Sequence, residues 1–150
     1  MAEERILLTG ASGYIGGRLL PVLERAGRRV RCLARRPESL SARAAAATEV
    51  VAGDLLAAGV LAPAMEDIHT AYYLVHSMGD GSDFARSERQ AAERFAHVAK
   101  ASGLRKIVYL GGLGGDDAAS PHLRSRHEVG RILRASGVPT LEFRASIVIG

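Results

Sequence analysis

The sequence predicts an α/β fold built on a doubly wound parallel sheet, with strand order 3-2-1-4-5-6. Three observations carry this. Short apolar runs alternate with helix-period segments along all 150 residues, as repeated strand–helix–strand crossovers require. The first run, Arg5–Thr9, passes directly into Gly10-Ala-Ser-Gly-Tyr-Ile-Gly16 and an apolar-periodic stretch, which reads as strand, tight turn and helix. The runs fall into two sets of three, matching the two halves of such a sheet.

In chain order, residues 14–26 place Ile15, Leu19, Leu20, Val22 and Leu23 near one helical face, and Gly27 stops the helix. Pro21 lies inside that pattern, so a kink or local adjustment is expected there. Residues 29–34, with Val30, Cys32 and Leu33, form a second strand. Pro37 opens a segment to residue 47 whose alanines favour a helix. A short third strand at 49–52 is closed by Gly53-Asp54, and a weak helix at 55–65 is interrupted by Gly59 and Pro63. The aromatic and aliphatic run at 70–75 is a fourth strand. A mobile loop follows from His76 to Asp83.

Ser82 or Asp83 caps the next helix, which reaches residue 102 and stops at Gly103. Its apolar stripe is Phe84, Ala91, Ala92, Phe95, Val98 and Ala99, with Arg86, Glu88, Arg89 and Lys100 mostly outside it. A fifth strand at 106–110 leads into the glycine-rich stretch 111–115. A helix at 123–135 stops at Gly137, and residues 140–144 begin a sixth strand. The stretch from Ser146 to Gly150 is apolar to the last residue, where a polar, exposed tail is usual, so residues 1–150 are expected to be one domain of a longer protein, cut after the sixth strand.

Composition narrows the function classes. With 47% hydrophobic and 24% charged residues, the chain is an ordinary globular domain and neither disordered nor membrane-embedded. The apolar runs are far short of a membrane span, and the N-terminus lacks a basic start followed by an apolar secretory core; the expected compartment is the cytoplasm, with no membrane partner. The formal charge is +4, mostly from arginine, but the basic residues are dispersed and never form a run of five, which argues against a nucleic-acid partner. Cys32 stands alone, cannot form an internal disulfide, and reads as a buried inert thiol. The histidines show no metal pattern, since His122 and His127 are five apart and do not stack on one helical face. There is no Gly-x-Ser-x-Gly elbow and no Walker A lysine.

The glycine turn carries the chemistry. Gly10 suits the tight turn, Gly13 lets backbone approach a pyrophosphate, and Gly16 lets the helix pack closely. The helix N-terminus adds free N–H groups and a positive dipole end, so a nicotinamide dinucleotide is the expected ligand. A cofactor with a free ribose 2′-hydroxyl calls for an acidic residue about 20 positions on. Arg35-Arg36 stand there instead, and a guanidinium matches a 2′-phosphate; NADP is favoured, with NAD second because Glu38 is within reach of a ribose. His76, just past the fourth strand, faces the crevice where ligands bind in such sheets, and is either a site residue or a loop histidine without a role.

With these residues in view, the chain resembles the atypical branch of the extended short-chain dehydrogenase/reductase superfamily, a Rossmann-fold group, near its NmrA-like and NADH-ubiquinone-oxidoreductase-subunit-like NAD(P)-binding members. The stretches that match are 9–16, 52–55, 72–79, 107–113 and 143–150. The resemblance implies that Gly10, Ser12, Gly13, Tyr14, Ile15 and Gly16 form the pyrophosphate turn and that Arg35 takes the 2′-phosphate. It also implies that Asp54 and Leu55 border the adenine and that Leu74, Val75 and His76 line the path to the nicotinamide ribose. Active members carry a Tyr-x-x-x-Lys pair after the fifth strand, and a serine or threonine at that strand's end. Here His122 stands at the tyrosine position, Arg126 at the lysine position, and Gly111-Gly112 where the serine would be. The expected activity is therefore hydride transfer from NADPH to an electron-poor acceptor, a quinone, flavin or imine, which depends less on a tyrosine acid. The alternative is a non-catalytic NADP(H)-binding sensor or assembly subunit acting through a protein partner. The substrate and the catalytic residues are not legible.

Overall fold

The computed structural model describes residues 3–76, 82–115, 117, 120–146 and 148–149. Eleven elements follow one another: β1 (Arg5–Thr9), α1 (Tyr14–Arg25), β2 (Arg29–Ala34), α2 (Glu38–Ser41), β3 (Glu49–Ala52), α3 (Leu61–Ala64), β4 (Ile68–Tyr73), α4 (Ser82–Ala101), β5 (Lys106–Gly112), α5 (Pro121–Ala135) and β6 (Thr140–Ala145). The strands form one sheet in the order β3-β2-β1-β4-β5-β6, and every pair is parallel. This is the doubly wound α/β architecture that the alternating pattern predicts.

Alternation along each strand divides the core between the two faces. Leu7, Leu33, Ala71, Tyr73, Ile107 and Tyr109 pack with Ala92, Phe95 and Ala99 of α4 and Leu133 of α5 on one face. Ile6, Leu8, Val30 and Cys32 pack with Leu20 and Leu23 of α1 on the other. Where the second-face row reaches β6, Leu141 and Phe143 stand about half exposed. Among the described residues, no helix is long and apolar enough to cross a membrane.

Several boundaries differ from the sequence reading. The segment opened by Pro37 yields only the four residues of α2, and the weak helix at 55–65 contracts to α3. In their place are turns; the Asp54 carboxylate accepts from the Leu56 N–H at 2.9 Å, a side-chain turn that competes with helix. β4 starts and ends two residues earlier than expected, which leaves Leu74, Val75 and His76 free of the sheet. β5 runs on through Gly111 and Gly112. α1 passes through Pro21 as a single element. Residues 77–81 of the loop expected at 76–83, and parts of the matching stretches 72–79 and 143–150, lie outside the described residues, and Ser82 and Asp83 belong to α4.

Candidate functional site: a cleft across the β1/β4 crevice

The sheet reverses its winding between β1 and β4, which opens a crevice beyond their C-terminal ends. Thr9 secures its floor. Fully buried, its hydroxyl donates to the Tyr72 carbonyl at 2.8 Å and accepts from the Leu74 N–H at 3.4 Å, joining the ends of the two strands. Over this floor lies a cleft of about 530 Å³, within the usual ligand-site range of about 300–1,000 Å³.

The glycine turn makes one wall. Gly10 sits at φ +77°, and a Cβ there would come within 2.6 Å of the Leu74 carbonyl, so both the backbone conformation and the close approach demand glycine. The Gly13 N–H donates to the Gly10 carbonyl at 3.0 Å to close the turn, and the Gly17 N–H then donates to Gly13 to begin α1. A Cβ on Gly16 would lie 2.1 Å from the Gly10 oxygen. Gly16 thus lets α1 seat against the turn itself. Gly13 is the N-cap, with no side-chain capping bond and no acidic residue in the first turn. The first-turn N–H groups and the positive end of α1 are left for an anion, which fits a pyrophosphate.

Gly10, Ser12, Gly13, Arg35, Asp54, Leu55, Leu74, Val75 and His76 all line the cleft, arriving from four separate stretches of chain. Tyr14, Ile15 and Gly16 are not among its lining side chains. Tyr14 is 48% exposed, with the Arg18 guanidinium 4.3 Å from its ring centre, and Gly16 is buried beneath the turn. Arg35 is exposed at the end of β2, free to meet a charged group entering from solvent.

The other wall is built by side chains. His76 is half-buried beside the Arg126 charge; desolvation first, and that charge second, lower it to about 4, so it is neutral near pH 7. Tyr73, beneath the cleft, stacks edge-on to Phe95 at 4.9 Å and to Tyr109 at 5.9 Å. Burial, then the Tyr109 and Glu88 charges, push its hydroxyl far above the usual tyrosine range. Tyr109 is shifted in the same direction, chiefly by burial, and its hydroxyl donates to the Arg126 carbonyl at 2.9 Å.

The three positions of the expected proton-relay set hold other groups with other occupations. The His122 ring stacks on Phe84 with centroids 4.4 Å apart and is not among the cleft-lining residues. A Cβ on Gly112 would fall 2.3 Å from a Leu123 methyl, and one on Gly111 2.7 Å from a Glu142 carboxylate oxygen. The space a serine would fill at the end of β5 is occupied by the ends of the flexible Leu123 and Glu142 side chains. His127 is buried, with Nε2 3.1 Å from the Gly112 carbonyl, which ties α5 to that strand end. Among the described residues no group of three or more His, Cys, Asp or Glu side chains could hold a metal. Cys32 is fully buried and its thiol is raised to about 12, mainly by desolvation with help from Glu24, as expected of an inert core thiol.

Glu88 is the residue that the sequence reading misplaced. Assigned outside the apolar stripe of α4, it is only 9% exposed, accepts from the Ser125 hydroxyl at 2.6 Å, and lines the cleft. The signal was present: Phe84, Glu88, Ala91, Ala92 and Phe95 follow the i, i+4, i+7, i+8, i+11 spacing of one helical face.

The fold, the glycine turn and the cleft define a dinucleotide-binding domain, and the chain belongs to the NAD(P)H-binding family, whose model matches residues 10–144. A curated relative is a 3β-hydroxysteroid dehydrogenase/Δ5→4-isomerase of Mycobacterium tuberculosis, 30% identical over 116 residues that make up 70% of this chain and 30% of the relative. Among solved structures, the triphenylmethane reductase of Citrobacter sp. superposes with a TM-score of 0.84 at 19% identity, covering 95% of this chain and 49% of that one. WbmG of Bordetella bronchiseptica, solved in complex with NAD, gives 0.80 at 20% identity, covering 95% and 53%. At these identities the structural likeness shows the fold, and the chain spans about half the length of those two proteins.

Proposed function

We propose that the chain is the NADP(H)-binding part of a reductase that passes hydride to an electron-poor acceptor of the quinone, flavin or imine type. One observation carries this reading: the glycine turn and Arg35 line the same cleft, while His122, Arg126 and Gly111-Gly112 replace the usual proton-relay set. Gly10, Ser12 and Gly13, with the first turn of α1 at Tyr14, Ile15 and Gly16, would hold the pyrophosphate. Arg35 would pair with the 2′-phosphate, which makes NAD the second choice. Asp54 and Leu55 would border the adenine, and Leu74, Val75 and His76 the nicotinamide ribose. The bound cofactor supplies the hydride; the residues of the chain orient it and exclude water around it.

Two measurements test the reading. In a thermal-shift titration NADPH raises Tm more than NADH does, approaching about 2.7 kcal/mol of stabilisation at a hundred times its Kd; a larger shift with NADH overturns the role of Arg35. NADPH oxidation is then followed with quinone, flavin and imine acceptors, using the full-length protein. The His122 ring, stacked on Phe84 and away from the cleft, also favours a second reading, a non-catalytic NADP(H) sensor. Tight NADPH binding with no oxidation by any acceptor selects it.

A further inference from the structure

We propose that Arg43 is a second guanidinium for the 2′-phosphate, closing on it from beside α1 while Arg35 meets it from the end of β2. The inference deepens the NADP(H) reading above and rests on it. Discrimination between the two dinucleotides then belongs to a pair of arginines held by separate elements.

Contacts on both sides fix where Arg43 stands. Leu40 of α2 is fully buried in the same core cluster as Leu20 and Leu23 of α1. Its carbonyl accepts from the Arg43 and Ala44 N–H groups at 2.8 and 2.9 Å. Just beyond, the Glu24 carboxylate of α1 accepts from the Ala45 N–H at 2.8 Å and from the Thr48 hydroxyl. The stretch after α2 is thereby tied down along α1. Within that frame the Arg43 side chain lies against the start of the helix: a Cβ on Gly17 would sit 3.6 and 3.9 Å from its Nη1 and Nη2. Gly17 is one turn beyond Gly13 on the same helical face, roughly 5.4 Å along the axis. Gly13 lines the cleft together with Arg35.

This is a costly place for a cation without an anion beside it. The start of α1 carries the positive end of the helix dipole, with no side-chain cap and no acidic residue in its first turn. Among the described residues no carboxylate forms an ion pair with Arg43, whereas Arg89 on α4 has Glu128. A phosphate monoester answers the arrangement, since near pH 7 it carries a charge of about −1.5 to −2 and several acceptor oxygens. That is enough for two guanidinium forks, one from each side. A free 2′-hydroxyl offers Arg43 no charge to pair with, so its contribution falls on NADP(H) alone.

The test is the ratio of the NAD+ Kd to the NADP+ Kd, measured by calorimetric titration of the full chain. In the unaltered chain this ratio favours NADP+. Arg43→Ala lowers it roughly five- to tenfold by weakening NADP+ alone, and Arg43→Lys, which keeps the charge, recovers part of it. Arg35→Ala combined with Arg43→Ala removes the preference. Arg25→Ala takes the same charge from the last turn of α1 and leaves the ratio unchanged, which separates a local contact from net charge. Using a ratio cancels any loss of folded protein common to both titrations. A ratio unchanged in Arg43→Ala, or one that falls equally in Arg25→Ala, overturns the inference and leaves the role of Arg35 in place. An unaltered chain that binds NAD+ as tightly as NADP+ overturns the NADP(H) reading and the inference together.

Discussion

At the glycine turn the cleft wall is backbone, and at α4 it is side chain. Gly10, Gly13 and Gly16 act by what they lack: a Cβ would fall 2.6 Å from the Leu74 carbonyl oxygen at Gly10 and 2.1 Å from the Gly10 oxygen at Gly16, and would be tight, at 3.3 Å from that same oxygen, at Gly13. The opposite wall works by what it carries, namely the Glu88 carboxylate, the Ser125 hydroxyl that holds it, the neutral His76 imidazole and the buried Tyr73 ring. A backbone wall recognises what every dinucleotide shares, the pyrophosphate. A wall of side chains is where one relative can be made to differ from another. The family match over residues 10–144 therefore says a good deal about the first wall and little about the acceptor.

The largest expected effect breaks the backbone wall. Gly16→Val drives a side chain into the Gly10 carbonyl, where no flexible group can yield. It should remove about 3 kcal/mol of stability in urea denaturation and abolish the NADPH-dependent rise in Tm. Next is Arg35→Ala, which on the proposed reading would remove a charge-assisted contact of about 1.5–3 kcal/mol. NADPH affinity should fall roughly ten- to a hundredfold while NADH affinity barely moves, read as paired Kd values; an equal loss for both cofactors would assign Arg35 to something other than the 2′-phosphate. On the side-chain wall, Ser125→Ala strips a buried carboxylate of a donor and should cost about 1–2 kcal/mol in urea denaturation, with little effect on NADPH binding.

A pH experiment sharpens the same contrast. Burial takes His76 from 6.5 to about 4, so between those values the unfolded chain binds a proton that the folded chain refuses. Stability therefore rises with pH across this window and is lost as pH falls through it. His76→Gln should flatten that part of the Tm–pH curve; an unchanged slope would mean that the imidazole protonates in place. The smallest expected effect is at Cys32, whose buried thiol should react with a disulfide reagent only after denaturant is added.

Legibility in the sequence followed the same division. The turn could be read because its constraint is local: Gly10, Gly13 and Gly16 meet one another within a single strand–turn–helix unit. The place of Arg35 in the cleft could be read because it follows β2 directly and the fold sets that strand end beside the turn. Glu88 could not be read by class, since a glutamate on a helix is usually solvated; what buries it is α5, 37 residues further along. The helices expected at 37–47 and 55–65 form only at 38–41 and 61–64 for a related reason. The alanines at 44–47 favour helix, but propensity is a weak signal that tertiary context overrides, and the Asp54 side chain offers the backbone a competing turn.

The sequence by itself determined the sheet, its winding order and the place where a pyrophosphate fits, because alternating periodicity and glycine spacing act over a few residues. Only the tertiary structure decided what faces that place. It set a carboxylate and a neutral imidazole around the far wall, through contacts among α4, β5 and α5. The physical reason is range: steric permission for a backbone turn is settled between neighbours, whereas the burial and field that define an acid, a base or an ion site come from residues that only folding brings together.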